Sequence, residues 1–256
     1  MKERVEYQMI SDIALLIRNE TQIDAAAEDA QVIDAKAEGD RTQSKTLLET
    51  SANVRAGVNL SATNGEIDWE KVKAAGVSFV ILRAGYRGVV SGSLIEDAKF
   101  AANIQGAQSV GLEVGVSFSS QAHNEVEAVE DASAALHLVA AYDIDFPIFM
   151  NLGSVEEVSE AEEFTAAQRT AVVQAFCKTI TSSGYRSGVY ASKEWLTDKL
   201  DVASLSNDSI WLAEYKKVPT YQGYYEIWQH TSEGKVNGIS GEVGLNLCYV
   251  AYSPPE

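Results

Sequence analysis

From Ala56 onward the chain repeats one pattern: a short apolar run, a turn residue, then a stretch with helical spacing. Gly57-Val58-Asn59-Leu60 reads as a first strand. Asp68 is placed to cap a helix over residues 69–75, which Gly76 closes. Val77-Ser78-Phe79-Val80-Ile81-Leu82-Arg83 is almost continuously apolar, the mark of a strand buried on both faces. A helix near residues 96–107 leads to a strand over residues 113–119. Asn124-Glu125-Val126-Glu127 has the form of a capping box and opens a helix to about residue 141. Phe146-Pro147-Ile148-Phe149-Met150 predicts a fourth strand. Thr165-Ala166-Ala167-Gln168 is a second capping box. Val172, Val173, Phe176, Cys177 and Ile180 form the apolar stripe of its helix, and Gly184 ends it. Ser187-Gly188-Val189-Tyr190-Ala191 is a fifth strand, followed by a short helix around residues 194–200. Residues 210–215, 225–229 and 243–250 are strand candidates with no long helix between them.

Five βα units followed by three further strands place the chain in the α/β class, with a parallel sheet and helices outside it. Eight strands suggest closure into an irregular (β/α) TIM-like barrel. An open doubly wound sheet is the alternative, but no glycine-rich fingerprint follows the first strand. Residues 1–55 are different. They hold no proline, a single glycine (Gly39), and many Ala, Glu, Asp and Gln. Ile13, Leu16, Ile23, Ala27, Ala30 and Ala37 fall on heptad-like spacing that Glu20 and Asp34 interrupt. This segment reads as a helical stalk or a partly disordered leader. The expected organisation is an N-terminal segment over 1–55, a possible route to an oligomer, and a barrel over 56–256.

The charge is −17, with 37 acidic against 20 basic residues. A nucleic-acid partner needs a basic face and is excluded. The surplus serves solubility, or a cationic partner. Cys177 and Cys248 lack ligand spacing and read as core thiols. His123, His137 and His230 show no metal-binding spacing, so neither metal nor cofactor is expected. No apolar run is long enough to span a membrane, and the first residues lack a secretion-signal pattern.

Several strings carry a resemblance. Gly57-Val58-Asn59-Leu60-Ser61, Ile67-Asp68-Trp69 and Val72-Lys73-Ala74-Ala75-Gly76 come first. Phe79-Val80-Ile81-Leu82-Arg83-Ala84-Gly85-Tyr86, Gly111-Leu112-Glu113-Val114-Gly115-Val116 and Gly184-Tyr185-Arg186-Ser187-Gly188-Val189-Tyr190 follow. Trp211-Leu212-Ala213-Glu214-Tyr215, Ile227-Trp228-Gln229 and Gly238-Ile239-Ser240-Gly241 close the set. In this order they resemble glycoside hydrolase family 25, the lysozyme-like N-acetylmuramidases. The resemblance implies a barrel that acts on peptidoglycan, outside the cell or at its surface.

It also implies a set of carboxylates at strand ends: an acid for the leaving oxygen and others for the cationic transition state. The first-strand Gly-x-Asp position is Asn59 here. The fourth-strand Asp-x-Glu reads Asn151-Leu152-Gly153, and the last-strand Asp-x-Asn reads Gly244-Leu245-Asn246. An amide cannot carry charge or give up an acidic proton. The third strand ends in Ser117-Phe118-Ser119-Ser120, where the resemblance implies a Tyr-containing end.

Tyr190, Trp211, Tyr215 and Trp228 are candidates to stack on sugar rings, with Gln229 beside them. Trp211 and Trp228 serve equally well as barrel wall. His230 stands near a strand end and could touch a ligand. Arg83 with Tyr86 is either a groove pair or part of a structural ion pair. Glu156, Glu157, Glu214 and Asp145 are solvated charges or, alternatively, relocated acids. Three readings follow. One is a silent domain that holds a peptidoglycan strand, another glycan or a protein partner at the groove. Another is a muramidase with relocated carboxylates. The third is a structural surface domain assembled through its N-terminal segment.

Overall fold

The structure, a computed structural model, describes residues 54–153 and 164–252. The stalk or leader expected over residues 1–55 therefore lies outside the described residues, apart from its last two. The described residues form nine strands: β1 (Arg55–Leu60), β2 (Phe79–Arg87), β3 (Leu94–Glu96), β4 (Glu113–Ser119), β5 (Ile148–Asn151), β6 (Ser187–Ser192), β7 (Ser209–Ala213), β8 (Ile227–Gly234) and β9 (Val243–Cys248). The helices are α1 (Trp69–Ala74), α2 (Phe100–Ser109), α3 (Glu125–Val139) and α4 (Ala166–Ser182). A π-helical turn (Trp195–Lys199) and a 3₁₀ turn (Val202–Leu205) follow β6.

Eight strands close a barrel in the order β1-β2-β4-β5-β6-β7-β8-β9, and β1 pairs with both β2 and β9. All neighbours are parallel except β9, which runs antiparallel to β8 and β1. This is the irregular α/β barrel that five βα units and three further strands predict. Helix entry follows the local chemistry. Asp68 accepts from the Lys71 amide at 3.2 Å. Thr165 and Gln168 make both bonds of the capping box. At α3 the box is offset: Asn124 accepts from the Glu127 amide, while the Glu127 carboxylate takes the amide of His123.

Strand alternation splits the apolar residues into two cores. Val80, Leu82, Val114, Val116 and Leu212 face outward, where Phe100, Phe176, Cys177 and Ile180 of the helices cover them. Phe79, Ile81, Phe149, Tyr190, Trp211 and Ile227 fill the lumen. Gly57 and Gly188 admit these rings: a β-carbon would lie 2.4 Å from Phe79 and 2.6 Å from Phe149. At the end of the barrel where β1 begins, Phe146 stacks on Phe79 at 4.6 Å and meets Tyr252 at 4.7 Å.

Two expectations are corrected. The second strand runs on to Arg87 and turns back at Gly88–Gly92 into β3, where a helix start was expected. Arg87 fixes this hairpin, donating to the Gly92 carbonyl (2.9 Å), Glu130 (2.9 Å) and buried Asp131 (2.9 Å). The helix itself waits until Phe100 because Asp97 is committed elsewhere, as described below.

Trp228 sits in the outer core at 2% exposure, on the opposite face of β8 from Gln229. Its indole donates to the Glu214 carbonyl at 2.8 Å. Trp228→Ala is therefore expected to cost about 3–5 kcal/mol and to lower Tm by about 10 °C; an unchanged melting curve would contradict this packing. A chain starting at Val54 is expected to melt as cooperatively as the full chain, since the barrel closes among described residues.

Candidate functional site

The parallel strands end at one mouth of the barrel, and antiparallel β9 begins there. Side chains from five neighbouring strands meet in a single hydrogen-bonded array. The Asn59 carbonyl oxygen accepts from Gln229 Nε2 at 2.7 Å and from Asn246 Nδ2 at 3.0 Å. Asn246 Oδ1 accepts from Trp211 Nε1 at 2.8 Å. Gln229 Oε1 accepts from the Tyr215 hydroxyl at 3.0 Å and also from the Tyr190 hydroxyl. The Tyr190 ring lies over Trp211 with centroids 4.3 Å apart. Two donors saturate the oxygens of Asn59 and Gln229. Burial pushes the Tyr190 phenol well above its ordinary range, so no member of the array carries charge at neutral pH.

The positions that the resemblance marks lie in or beside this array. The register pairs Asn59 with Gly244. A β-carbon at Gly244 would lie 2.1 Å from Asn59 Oδ1 and 2.2 Å from Gln229 Nε2. Asn151 ends β5, and its side chain accepts from the Gly153 amide at 2.8 Å. A β-carbon at Gly153 would lie 2.6 Å from the Tyr190 ring. The two glycines leave space that Tyr190 and the amides have filled.

Other candidates separate. Trp211, 1% exposed, is the floor beneath Tyr190 inside the lumen, whereas Trp228 packs in the outer core, so neither indole presents an open face. Tyr215 is 55% exposed and presents an open ring at the mouth. Arg83 makes a structural ion pair: its guanidinium donates to Asp97 at 2.9 and 2.8 Å and lies 5.1 Å from the Tyr86 centroid. Asp97 also takes the amides of Ala62 and Lys99, which ties the end of β1 to the start of α2. The sequence signal for it was Arg83 itself, a cation in a buried strand that requires a partner.

The buried carboxylates among the described residues are Asp97, Asp131 and Glu214. None is free to act on a ligand. Burial pushes Asp131 up to about 6 against the pull of Ser120 and Arg87, but it lies on α3 outside the lumen. Glu214 takes the amides of Thr220 and Tyr221 and the Thr220 hydroxyl. Asp145 accepts from the Val114 amide at 2.9 Å, at the far end of the barrel. Glu156 and Glu157 lie outside the described residues. His230 shares the outward face of Trp228, with ring centroids 5.5 Å apart. Burial lowers its pKa to about 4, so it is neutral at pH 7. Among the described residues no three His, Cys, Asp or Glu side chains converge as metal ligands, and no helix is long and apolar enough to cross a membrane.

Comparison with known proteins defines the class. The model of glycosyl hydrolases family 25 matches residues 58–239, and the chain belongs to that family. The autolytic lysozyme of Clostridium acetobutylicum is 24% identical over 194 residues, which cover 74% of this chain and 54% of that protein. The chain thus spans about half the length of that relative. Among solved structures, the modular autolysin LytC of Streptococcus pneumoniae, in complex with a synthetic peptidoglycan ligand, superposes with a TM-score of 0.68 at 27% identity. That match covers 77% of this chain and 47% of LytC. A lysozyme from Streptomyces coelicolor gives 0.65 at 20% identity, covers 77% of this chain and 93% of that one, and supports the fold alone.

Two outcomes test this geometry. Gly244→Asp alone is expected to destabilise the barrel by about 1–3 kcal/mol through overpacking, read as a fall in Tm; equal Tm would mean that the array opens freely. His230 titrates at about 4 in the fold against 6.5 unfolded. Its contribution to stability is complete above pH 6.5 and is lost as pH falls toward 4. His230→Asn should therefore lose less stability than the parent between these values, measured by denaturant titration at each pH.

Proposed function

We propose that this chain is a catalytically silent family 25 domain that binds cell-wall glycan at the mouth of its barrel. One observation carries the reading. The four positions where the family resemblance implies carboxylates hold Asn59, Asn151, Gly153 and Gly244, and an uncharged array has closed around them. Glycoside cleavage needs an acid to protonate the leaving oxygen and negative charge beside the oxocarbenium-like transition state. General acid–base help of this kind is worth about 10²–10⁴-fold. The amides supply neither charge nor acidic proton. They do supply donors and acceptors for sugar hydroxyls, and the open Tyr215 ring supplies a face for a pyranose. The LytC complex, whose ligand is a synthetic peptidoglycan, supports the choice of glycan. The same reading has the domain work outside the cell or at its surface, where wall glycan is met.

The test is cosedimentation with purified peptidoglycan. The chain is expected to pellet with the wall material, and Tyr215→Ala to weaken binding by up to about tenfold. Failure to pellet would overturn the glycan reading in favour of a protein partner at the groove. Rebuilding the acids is the complementary experiment. Asn59→Asp keeps both incoming donors, so the cost of the set Asn59→Asp, Asn151→Asp, Gly153→Glu and Gly244→Asp falls mainly on the two glycines. The quadruple variant is expected to melt lower and to clear a cell-wall suspension only in trace. Clearing by the parent chain at the variant's rate would overturn the silent-domain reading.

A further inference from the structure

At the ends of β6 and β7, next to Tyr215, two lysines converge on one carboxylate. Glu214 is the residue after β7, and its side chain is 5% exposed. It takes the backbone amides of Thr220 (2.7 Å) and Tyr221 (3.1 Å) and the Thr220 hydroxyl. These bonds fold the 215–221 loop back onto the end of β7. Burial opposes its charge, but the hydrogen bonds from Thr220 and Tyr221 outweigh burial and hold the carboxyl below its ordinary value. Glu214 is therefore ionised at neutral pH.

Lys216 Nζ stands 3.3 Å from Glu214 Oε1, and Lys193 Nζ, from the residue after β6, stands 3.7 Å from the same oxygen. Both also reach Thr220 Oγ1, at 3.4 and 2.5 Å. Two ammonium groups thus share one carboxylate whose oxygens already take three other donors. Within this trio of Lys193, Lys216 and Glu214 the positive charges outnumber the negative by one, in a chain whose total is −17. Both lysines keep an accessible side, with 38% and 54% of the side chain exposed. Close cations repel one another, and a second anion relieves that repulsion. The lip is joined to the floor, because the Tyr215 hydroxyl donates to Gln229.

We infer that Lys193 and Lys216 form a subsite for an anionic substituent, carboxylate or phosphate, on a glycan whose sugar face rests on Tyr215. This rests on the glycan-binding reading and adds the charge of the ligand to it. An overall negative chain repels an acidic polymer at long range, so a paired cationic lip selects where such a polymer docks. Ammonium groups suit both anions as point charges, without the planar fork of arginine.

Calorimetry on the full chain tests this with three defined probes. The first is the N-acetylglucosaminyl–N-acetylmuramic acid disaccharide, which carries a carboxylate on its lactyl ether. The second is its methyl ester, which is neutral. The third is N-acetylglucosamine 6-phosphate. The acid is expected to bind about tenfold tighter than the ester, the size of one charge-assisted hydrogen bond. That preference should shrink as salt rises from about 50 to about 500 mM, because exposed charges are screened. In Lys193→Gln/Lys216→Gln the acid and the ester should bind alike, and Lys193→Arg/Lys216→Arg should restore the preference. A phosphate sugar that binds above the carboxylate sugar supports the subsite and names phosphate as its anion. Equal binding of acid and ester by the parent chain overturns the subsite and leaves the glycan reading standing. A preference that survives in the double Gln variant overturns it as well. Binding of none of the probes overturns both.

Discussion

Five strands of the barrel are joined at one end by amide and indole hydrogen bonds that converge on Asn59. Gln229 of β8 and Asn246 of β9 both donate to it, Trp211 of β7 donates to Asn246, and Tyr190 of β6 donates to Gln229. The array sits where the first strand meets the last, so it also seals the barrel. Buried polar groups are tolerated only when satisfied, and here each oxygen finds its donors without a formal charge. That constraint explains the glycines. Any side chain at Gly244 would displace the bonds to Asn59 and Gln229, and one at Gly153 would meet Tyr190. Among the described residues the array offers neutral hydrogen-bonding groups with an aromatic ring beside them, which is what the proposed recognition uses.

The strand-and-helix order was legible because period and punctuation agree. Runs such as Val80-Ile81-Leu82 bury alternate residues in two cores, and both cores are apolar. The β2–β3 hairpin was not legible. Leu94 and Ile95 are exposed, and the hairpin is held by Arg87 reaching across to α3, a contact between residues 44 positions apart. The candidate site was legible in part. Asn59, Tyr190 and Gln229 meet, and Tyr215 stands open beside them. Trp228 neighbours Gln229 in sequence but faces the other way, because only the register decides which of two adjacent residues looks into the lumen. Asn246 belongs to the last-strand motif, but its role is not legible in sequence, since it depends on an indole 35 positions away. The lysine lip was invisible for the same reason: Lys193 and Lys216 meet only because β6 and β7 are neighbours.

Membership of family 25 accounts for the fold, and the geometry of this mouth carries the proposal of a silent domain. The strand ends of the barrel gather side chains from distant parts of the chain. Under the proposed reading, what differs from an active member is the kind of group gathered there. Carboxylates elsewhere in the described residues do structural work. Asp97 ties β1 to α2 through Arg83, Asp131 supports the hairpin through Arg87, and Glu214 folds the lip. Among the described residues the three buried carboxylates thus hold loops in place, and the hydrogen-bonded array at the mouth is uncharged.

Hydrolysis read at the level of single bonds tests the central claim most directly. Purified peptidoglycan incubated with the chain for a day, then reduced with borohydride and separated by mass, reports every new reducing end. A neutral mouth predicts no reduced muramic acid above the level without protein. Accumulation of such ends in proportion to protein and time would contradict the account and show that a working acid reaches the scissile bond.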